Sequence, residues 1–408
     1  MKQLILAIAM MLALTTSASA QDNWQVTDSL DARELFEGFV FALALSPDGT
    51  LVAAGTRDEI CLAQVATAEV TCYPLPDAFG GGILPRPGFN PLVWSPDSTS
   101  IALTEDFYAF SYESDLWVLD TQSGTYTNRT DDGVEEFSIT SDEKIAAMVL
   151  DHLPAYAPDG DLYFFRTQRV GGVWTTTLHH LAADGGDTPE LIADLTDILP
   201  SLSVFYSPVV SPDGTQIAFP VRANDYDDVR TGLWLVDLAT GEARQLTDGT
   251  DNVAGMPKAL QSDAFYALNP VWLPDGSGIV FETLSLDMTY ALPEHNYLYV
   301  EVASGEVTPL IDLSDFPVPE DGDSEDEIRI LRDGALSADG TVFAYLHYED
   351  TPTIDAQITL IQLPPGETAP IVITGVEHIP SPTAAPNPMM SADGKALLGG
   401  WLYTLGQP

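Results

Sequence analysis

The chain has 408 residues, enough for two average domains or one large repeat array, and 45% are hydrophobic, an ordinary share that argues against disorder. Against 15 basic residues stand 61 acidic ones, a formal charge of −46. A field of that sign repels phosphate backbones and anionic lipid, which excludes nucleic acid as a partner and favours cations and basic proteins. Solubility in a salty or acidic surrounding is the plainer reading of the same charge.

The chain opens with Lys2, an apolar run from Leu4 to Leu14 and the small-x-small triplet Ala18-Ser19-Ala20. These parts predict a signal peptide over 1–20, cleaved after Ala20, with an uncleaved anchor as the alternative. A single domain is expected over 21–408, secreted or periplasmic. No Cys follows the apolar run and no later stretch is apolar for long enough to span a bilayer, so no membrane insertion is expected after cleavage. The two cysteines, Cys61 and Cys72, flank an apolar stretch with a turn near Thr67-Ala68. In an oxidising compartment they are expected to face each other across a hairpin as a disulfide, with two buried thiols as the alternative.

A turn motif then recurs along the chain: Ser46-Pro47-Asp48-Gly49, Ser95-Pro96-Asp97-Ser98, Ala157-Pro158-Asp159-Gly160, Ser211-Pro212-Asp213-Gly214, Leu273-Pro274-Asp275-Gly276, Ser337-Ala338-Asp339-Gly340 and Ser391-Ala392-Asp393-Gly394. Pro presets φ at the first turn position, Asp bonds nearby backbone and Gly accepts a positive φ, so each copy predicts a tight hairpin. An apolar strand precedes each turn and a small-residue strand such as Ile217-Ala218-Phe219 comes after it. A third strand, as in Leu233-Trp234-Leu235-Val236-Asp237, leads through Ala239-Thr240-Gly241-Glu242 into a fourth. Four short antiparallel strands repeated at this period predict an all-β, seven-bladed β-propeller, with six or eight blades as the alternatives.

Closure is also legible. Only Lys395 to Leu405 follow the last motif, which leaves that blade one outer strand short. Arg33-Glu34-Leu35-Phe36-Glu37-Gly38 echoes Arg244-Gln245-Leu246-Thr247-Asp248-Gly249. An N-terminal strand at Arg33 to Gly38 is therefore expected to pair with the last blade and remove its open edge.

These units resemble the TolB-like, WD-like repeats of exported bacterial propellers, and the resemblance covers nearly all of 21–408. It implies the fold and an extracytoplasmic location. Periplasmic TolB carries an additional N-terminal α/β domain, whereas about 25 residues of 21–408 precede Ser46, so a Tol–Pal role is not expected from the resemblance. Prolyl-oligopeptidase relatives set similar repeats before an α/β-hydrolase domain. Here the repeats run to the last residues and no Gly-x-Ser-x-Gly elbow occurs, so that class is not expected.

Six histidines (His152, His179, His180, His295, His347 and His378) are scattered over the repeats. Neighbours in a strand point to opposite faces, so His179 and His180 are not expected to share a metal. Glu320 to Glu327 is densely acidic, and Asp321, Asp323, Glu325 and Asp326 could ligate Ca²⁺, although a solvated loop is the default reading. Asn224 to Asp228 is a shorter case. Phe107, Tyr108, Phe110 and Tyr112 could line a binding rim, and Asn128-Arg129-Thr130 fits a glycosylation sequon. The expectation is a non-catalytic propeller, with no cofactor apart from that Ca²⁺. It would bind a protein, peptide or glycan, basic ligands included, as a monomer or within an envelope complex. The alternative is a hydrolase or lyase with a carboxylate or metal site in the funnel.

Overall fold

Each Pro-Asp-Gly turn closes an antiparallel strand pair, and the next turn of the Asp120-to-Gly124 kind adds a second pair to the same sheet. The computed structural model describes residues 24–37, 40, 42–79, 92–104, 114–133, 149–183, 186, 188–199, 208–221, 230–247, 265–285, 294–310, 328–350, 355–366, 368–376, 389–398 and 400–406. Blade 1 consists of Ala42–Leu45, Leu51–Gly55, Glu59–Gln64 and Val70–Pro74. Blade 2 has Val93–Trp94, Ser100–Thr104, Leu116–Asp120 and Tyr126–Asn128; blade 3 has Val149–Tyr156, Leu162–Val170, Val173–Leu181 and Glu190–Asp194. Blade 4 has Val209–Val210, Gln216–Val221, Gly232–Asp237 and Ala243–Gln245. Blade 5 runs from Phe265–Trp272 through Gly278–Ser285 and Glu294–Glu301 to Val307–Pro309, and blade 6 from Ile328–Leu336 through Val342–Asp350 and Asp355–Gln362 to Ile371–Val376. In each, strands pair in chain order, all antiparallel.

Blade 7 joins the two ends of the chain. Gln25–Asp31 pairs with Trp401–Gly406, from Gln25 opposite Gly406 to Asp31 opposite Trp401, and Lys395–Leu398 completes the sheet. Met389 stands at the place of the first strand and bridges Leu336 of blade 6. Closure by an N-terminal strand is therefore present, but the strand lies ahead of Arg33–Gly38. The Arg33 guanidinium folds back on Asp31, with Nε to Oδ1 at 2.7 Å and Nη2 to Oδ2 at 2.5 Å. The Asp31 carboxylate also accepts from the Arg33 backbone N–H, which starts a 3₁₀ turn over Ala32–Leu35 instead of a strand.

The core is divided into seven clusters, one at each seam between successive blades. A blade has two apolar faces and cannot bury either alone, so stability here comes from stacking around a closed ring. Ala53, Ala102, Ala218 and Ala344 hold the same place in the second strands of blades 1, 2, 4 and 6 and are fully buried. A small side chain there lets neighbouring sheets approach. Ring closure brings Leu397 and Leu402 of blade 7 onto Leu43, Val52 and Ala54 of blade 1.

Candidate functional site

The repeated turns use their aspartates locally. Asp213 Oδ1 accepts from Ser211 Oγ at 2.7 Å, from Thr215 N at 3.0 Å and from Thr215 Oγ1 at 2.8 Å. Asp48, Asp97 and Asp339 repeat this pattern, and Asp275 keeps the bonds to the residue after the Gly. These bonds to the charged form hold the Asp97, Asp213, Asp275 and Asp339 carboxyls below the usual range. Asp393 accepts from Ser391 and Lys395 in the last turn. In blade 3 the serine is replaced by Ala157, and Asp159 accepts from Asp161 N alone at 3.2 Å.

Strand order gives the ring two unlike faces. The first-to-second and third-to-fourth turns share one face, and many span five residues, as from Leu45 to Leu51 and from Asp120 to Tyr126. Connections leaving the other face are long: 18 residues separate Pro74 from Val93, 20 separate Asn128 from Val149 and 19 separate Gln245 from Phe265. The first strands of blades 3, 5 and 6 reach further toward this second face. Each carries a bulge, between His152 and Ala155, Leu268 and Val271, and Arg332 and Gly334. Leu153 and Asn269 sit in the bulges with φ of 54° and 44°, a conformation that costs a non-glycine residue about 1 kcal/mol or more. In blade 5 the Asn269 amide donates to the buried Glu282 carboxylate at 2.8 Å.

On that half of the ring a polar network crosses the seam between blades 2 and 3. Arg166, in the second strand of blade 3, grips Asp151 of the first strand with both arms, Nε to Oδ1 at 2.7 Å and Nη2 to Oδ2 at 2.6 Å. Across the seam, Asp115 accepts from Asn128 Nδ2 at 2.6 Å and from Thr130 Oγ1 at 3.3 Å. Desolvation pushes both the Asp115 and the Asp151 carboxyl up, and the Asp115 charge adds to the push on Asp151. The Arg166 fork opposes that push on Asp151. His179 stacks on Phe164, and Arg166 also lies over that ring. Burial, with Arg166 nearby, lowers His179 to about 4, and burial alone lowers His152 to about 3, so both rings are neutral at pH 7.

No protein-family model matches the chain, and no curated protein does. Among solved structures it is similar to a protein described as a TolB, from Agrobacterium tumefaciens, at 14% identity and TM-score 0.40, over 95% of this chain and 99% of that one. It is also similar to a chain in the crystal structure of the mitotic checkpoint complex, at 12% identity and TM-score 0.51, over 97% and 95% of the two chains. A third is the GH74 xyloglucanase from Xanthomonas campestris, at 14% identity and TM-score 0.50, over 86% of this chain and 46% of that one. The likeness is one of fold.

Within this propeller the residues singled out by sequence are dispersed. Cys61 and Cys72 lie opposite each other in the third and fourth strands of blade 1 and form a disulfide. Glu59 lies beside them, the one His, Cys, Asp and Glu grouping close enough for a metal among the described residues, but its two sulfurs are bonded to each other. His179 packs on Phe164 at the seam with blade 2, while His180 packs on Tyr163 and meets Asp161 Oδ2 at 2.6 Å. Adjacent in sequence, they serve opposite faces of the sheet. The sequon is spoken for, since the Asn128 amide binds Asp115 and Thr130 Oγ1 is buried beside it. Asp321, Asp323, Glu325 and Asp326, the Asn224 to Asp228 run, Phe107, Tyr108, Phe110, Tyr112 and His378 lie outside the described residues, as do the side chains of His295 and His347. Among the described residues no helix is long and apolar enough to cross a membrane.

The Asp115, Asp151 and Arg166 network escapes a sequence reading because its members are far apart in the chain and carry no motif. The bulges do leave a signal. Leu153-Pro154 and Asn269-Pro270 precede their motif prolines by the same interval, and a Pro inside a strand marks an edge or a bulge.

Proposed function

We propose that the chain is an exported, non-catalytic propeller that binds a protein, peptide or glycan ligand with the face carrying its long connections. The supporting observation is the asymmetry of the ring: repeated five-residue turns on one face, and on the other blade-to-blade connections of 14 to 20 residues whose sequences do not repeat. A rigid closed scaffold carrying varied loops suits recognition. Residues 1–20 would direct export, and the acidic run containing Asp321 and Asp323 makes Ca²⁺ a condition to vary. Screening the purified protein against peptide and glycan arrays, with and without Ca²⁺, tests the reading. Shortening 134–148 or 311–327 to a Gly-Ser linker should abolish the signal and leave the melting midpoint in place. Retained binding in both variants would refute it.

A hydrolase or lyase is the second reading, favoured by the raised Asp115 carboxyl beside Asn128 and Thr130. It places less weight on Asp151, which is almost wholly buried and held by Arg166. Turnover of an oligosaccharide panel, lost in Asp115→Asn, would establish this reading in place of binding alone.

A further inference from the structure

The seam between blades 2 and 3 also opens on the face of the repeated turns, away from the long connections. There a cleft of about 590 Å³ is lined by Pro96, Val118, Tyr156, Pro158 and Leu162, with Asp97, Asp120 and Asp159 along it. That volume lies within the usual range for small-ligand sites, roughly 300–1,000 Å³.

The cleft has a structural cause. In blade 1, Tyr73 of the fourth strand covers the third-to-fourth turn of blade 2, its hydroxyl donating to Thr121 O at 3.2 Å and its ring lying against Gly124. Arg129 holds the matching register in blade 2, since its N–H bonds Leu116 O as the fourth strand leaves. The corresponding connection of blade 3 is longer: nine residues separate the paired His180 and Glu190, whereas six separate the paired Leu119 and Tyr126 of blade 2. Arg129 instead reaches Ala182 O and Gly186 O at 3.2 and 3.3 Å, and the space that tyrosine and turn fill at the first seam is open at the second.

Its chemistry is that of a receptor for a cationic side chain with an apolar stem. Asp97 and Asp120 hold their turns through Oδ1 and are kept below the usual carboxylate range by those bonds, so both stay charged. Asp159 likewise spends only Oδ1 on the chain. One guanidinium against three carboxylates leaves a negative surplus. Val118, Leu162 and the two prolines offer walls for a methylene stem, and Tyr156 offers an aromatic ring.

We propose that this cleft is a second binding site, which takes a lysine or arginine side chain from a basic peptide segment of a partner protein. It is independent of the loop-bearing face, and different residues test it. The probe is a fluorescein-labelled Ala-Lys-Ala-Arg-Ala peptide, followed by anisotropy with the full chain, beside a Glu-for-Lys/Arg counterpart. The protein is so acidic that any basic peptide is attracted, so the control carries the weight. Asp97→Asn with Asp159→Asn removes two charges from the cleft; Asp213→Asn with Asp275→Asn removes two from the same motif positions of blades 4 and 5. The cleft pair should weaken binding about tenfold and the control pair less than about twofold, because a charge-assisted hydrogen bond contributes at close range what a distant charge does not. Thr127→Trp, an exposed wall position, should block the peptide with every charge retained. Equal losses in the two pairs, or unchanged binding in Thr127→Trp, would overturn the proposal.

Discussion

A motif aspartate in this ring works as a turn brace, and its worth depends on the residue two places before it. Where that residue is serine, as at Ser211, the hydroxyl donates to the carboxylate and accepts from Gln216 N at 2.9 Å, so turn and strand entry are tied together. Where it is Ala157, the brace is reduced to one bond from Asp161 N. Asp213→Ala should therefore cost about 1–2 kcal/mol by the usual worth of such bonds, and Asp159→Ala less than about half of that. Chemical denaturation of the two variants reads the difference, and equal losses would show that the serine adds nothing. The same aspartates explain why the motif, so visible in sequence, says little about activity: it recurs because one oxygen of each, Oδ1, braces a turn.

At the level of the strand, the seams are held by more than apolar contact. Trp94 Nε1 donates to Ala44 O of blade 1 at 3.1 Å, and Trp272 Nε1 donates to Val209 O of blade 4 at 3.1 Å. Both acceptors lie two residues before the motif serine, so one device locks first strand to first strand across two seams. Blade 3 carries Tyr156 instead, which reaches Ser100 Oγ at 3.3 Å, and there the cleft opens. Trp94→Phe removes the indole donor to the Ala44 carbonyl together with ring volume, a loss of about 2–3 kcal/mol. A shift of the denaturation midpoint worth less than about 0.5 kcal/mol would mean the seam does not depend on this bond. The strands, their order and the closing of the ring by the N-terminus were readable from the repeat, because turn chemistry and alternation are local. The span of the closing strand was not. The echo between Arg33–Gly38 and Arg244–Gly249 marks the exit from a fourth strand rather than the strand itself: Ala243–Gln245 is the strand, while Leu246 has already left it to be buried at the seam. Phe36 is likewise buried at the seam between blades 7 and 1. The Asp115 to Arg166 network was out of reach because its parts meet only once two blades stack.

For the molecule as a whole, the many carboxylates divide into two populations that respond oppositely to acid. Asp48, Asp97, Asp120, Asp213, Asp237, Asp275, Asp339 and Asp393 are held below their ordinary value in the folded ring. Their stabilisation is complete above the unfolded value, about 3.9, and is lost as pH falls through the depressed folded values. Asp115 and Asp151 are pushed the other way, so the folded state takes up protons before the unfolded one does, and acidification from neutral pH toward 4 stabilises the ring through them. Relief of self-repulsion among charges summing to −46 acts in the same direction. Stability should therefore rise from pH 7 to a maximum between about pH 4 and 5 and fall steeply below about pH 4. Salt separates the two sources of the rise. At about 0.5 M the surface repulsion is screened while the buried seam is not, so the rise that survives belongs to the blade 2–3 network and should flatten in Asp115→Asn. Unfolding midpoints measured across pH at low and high salt decide the matter, and a steady fall from pH 7 to 5 would show that paired carboxylates, rather than desolvated ones, govern the seam.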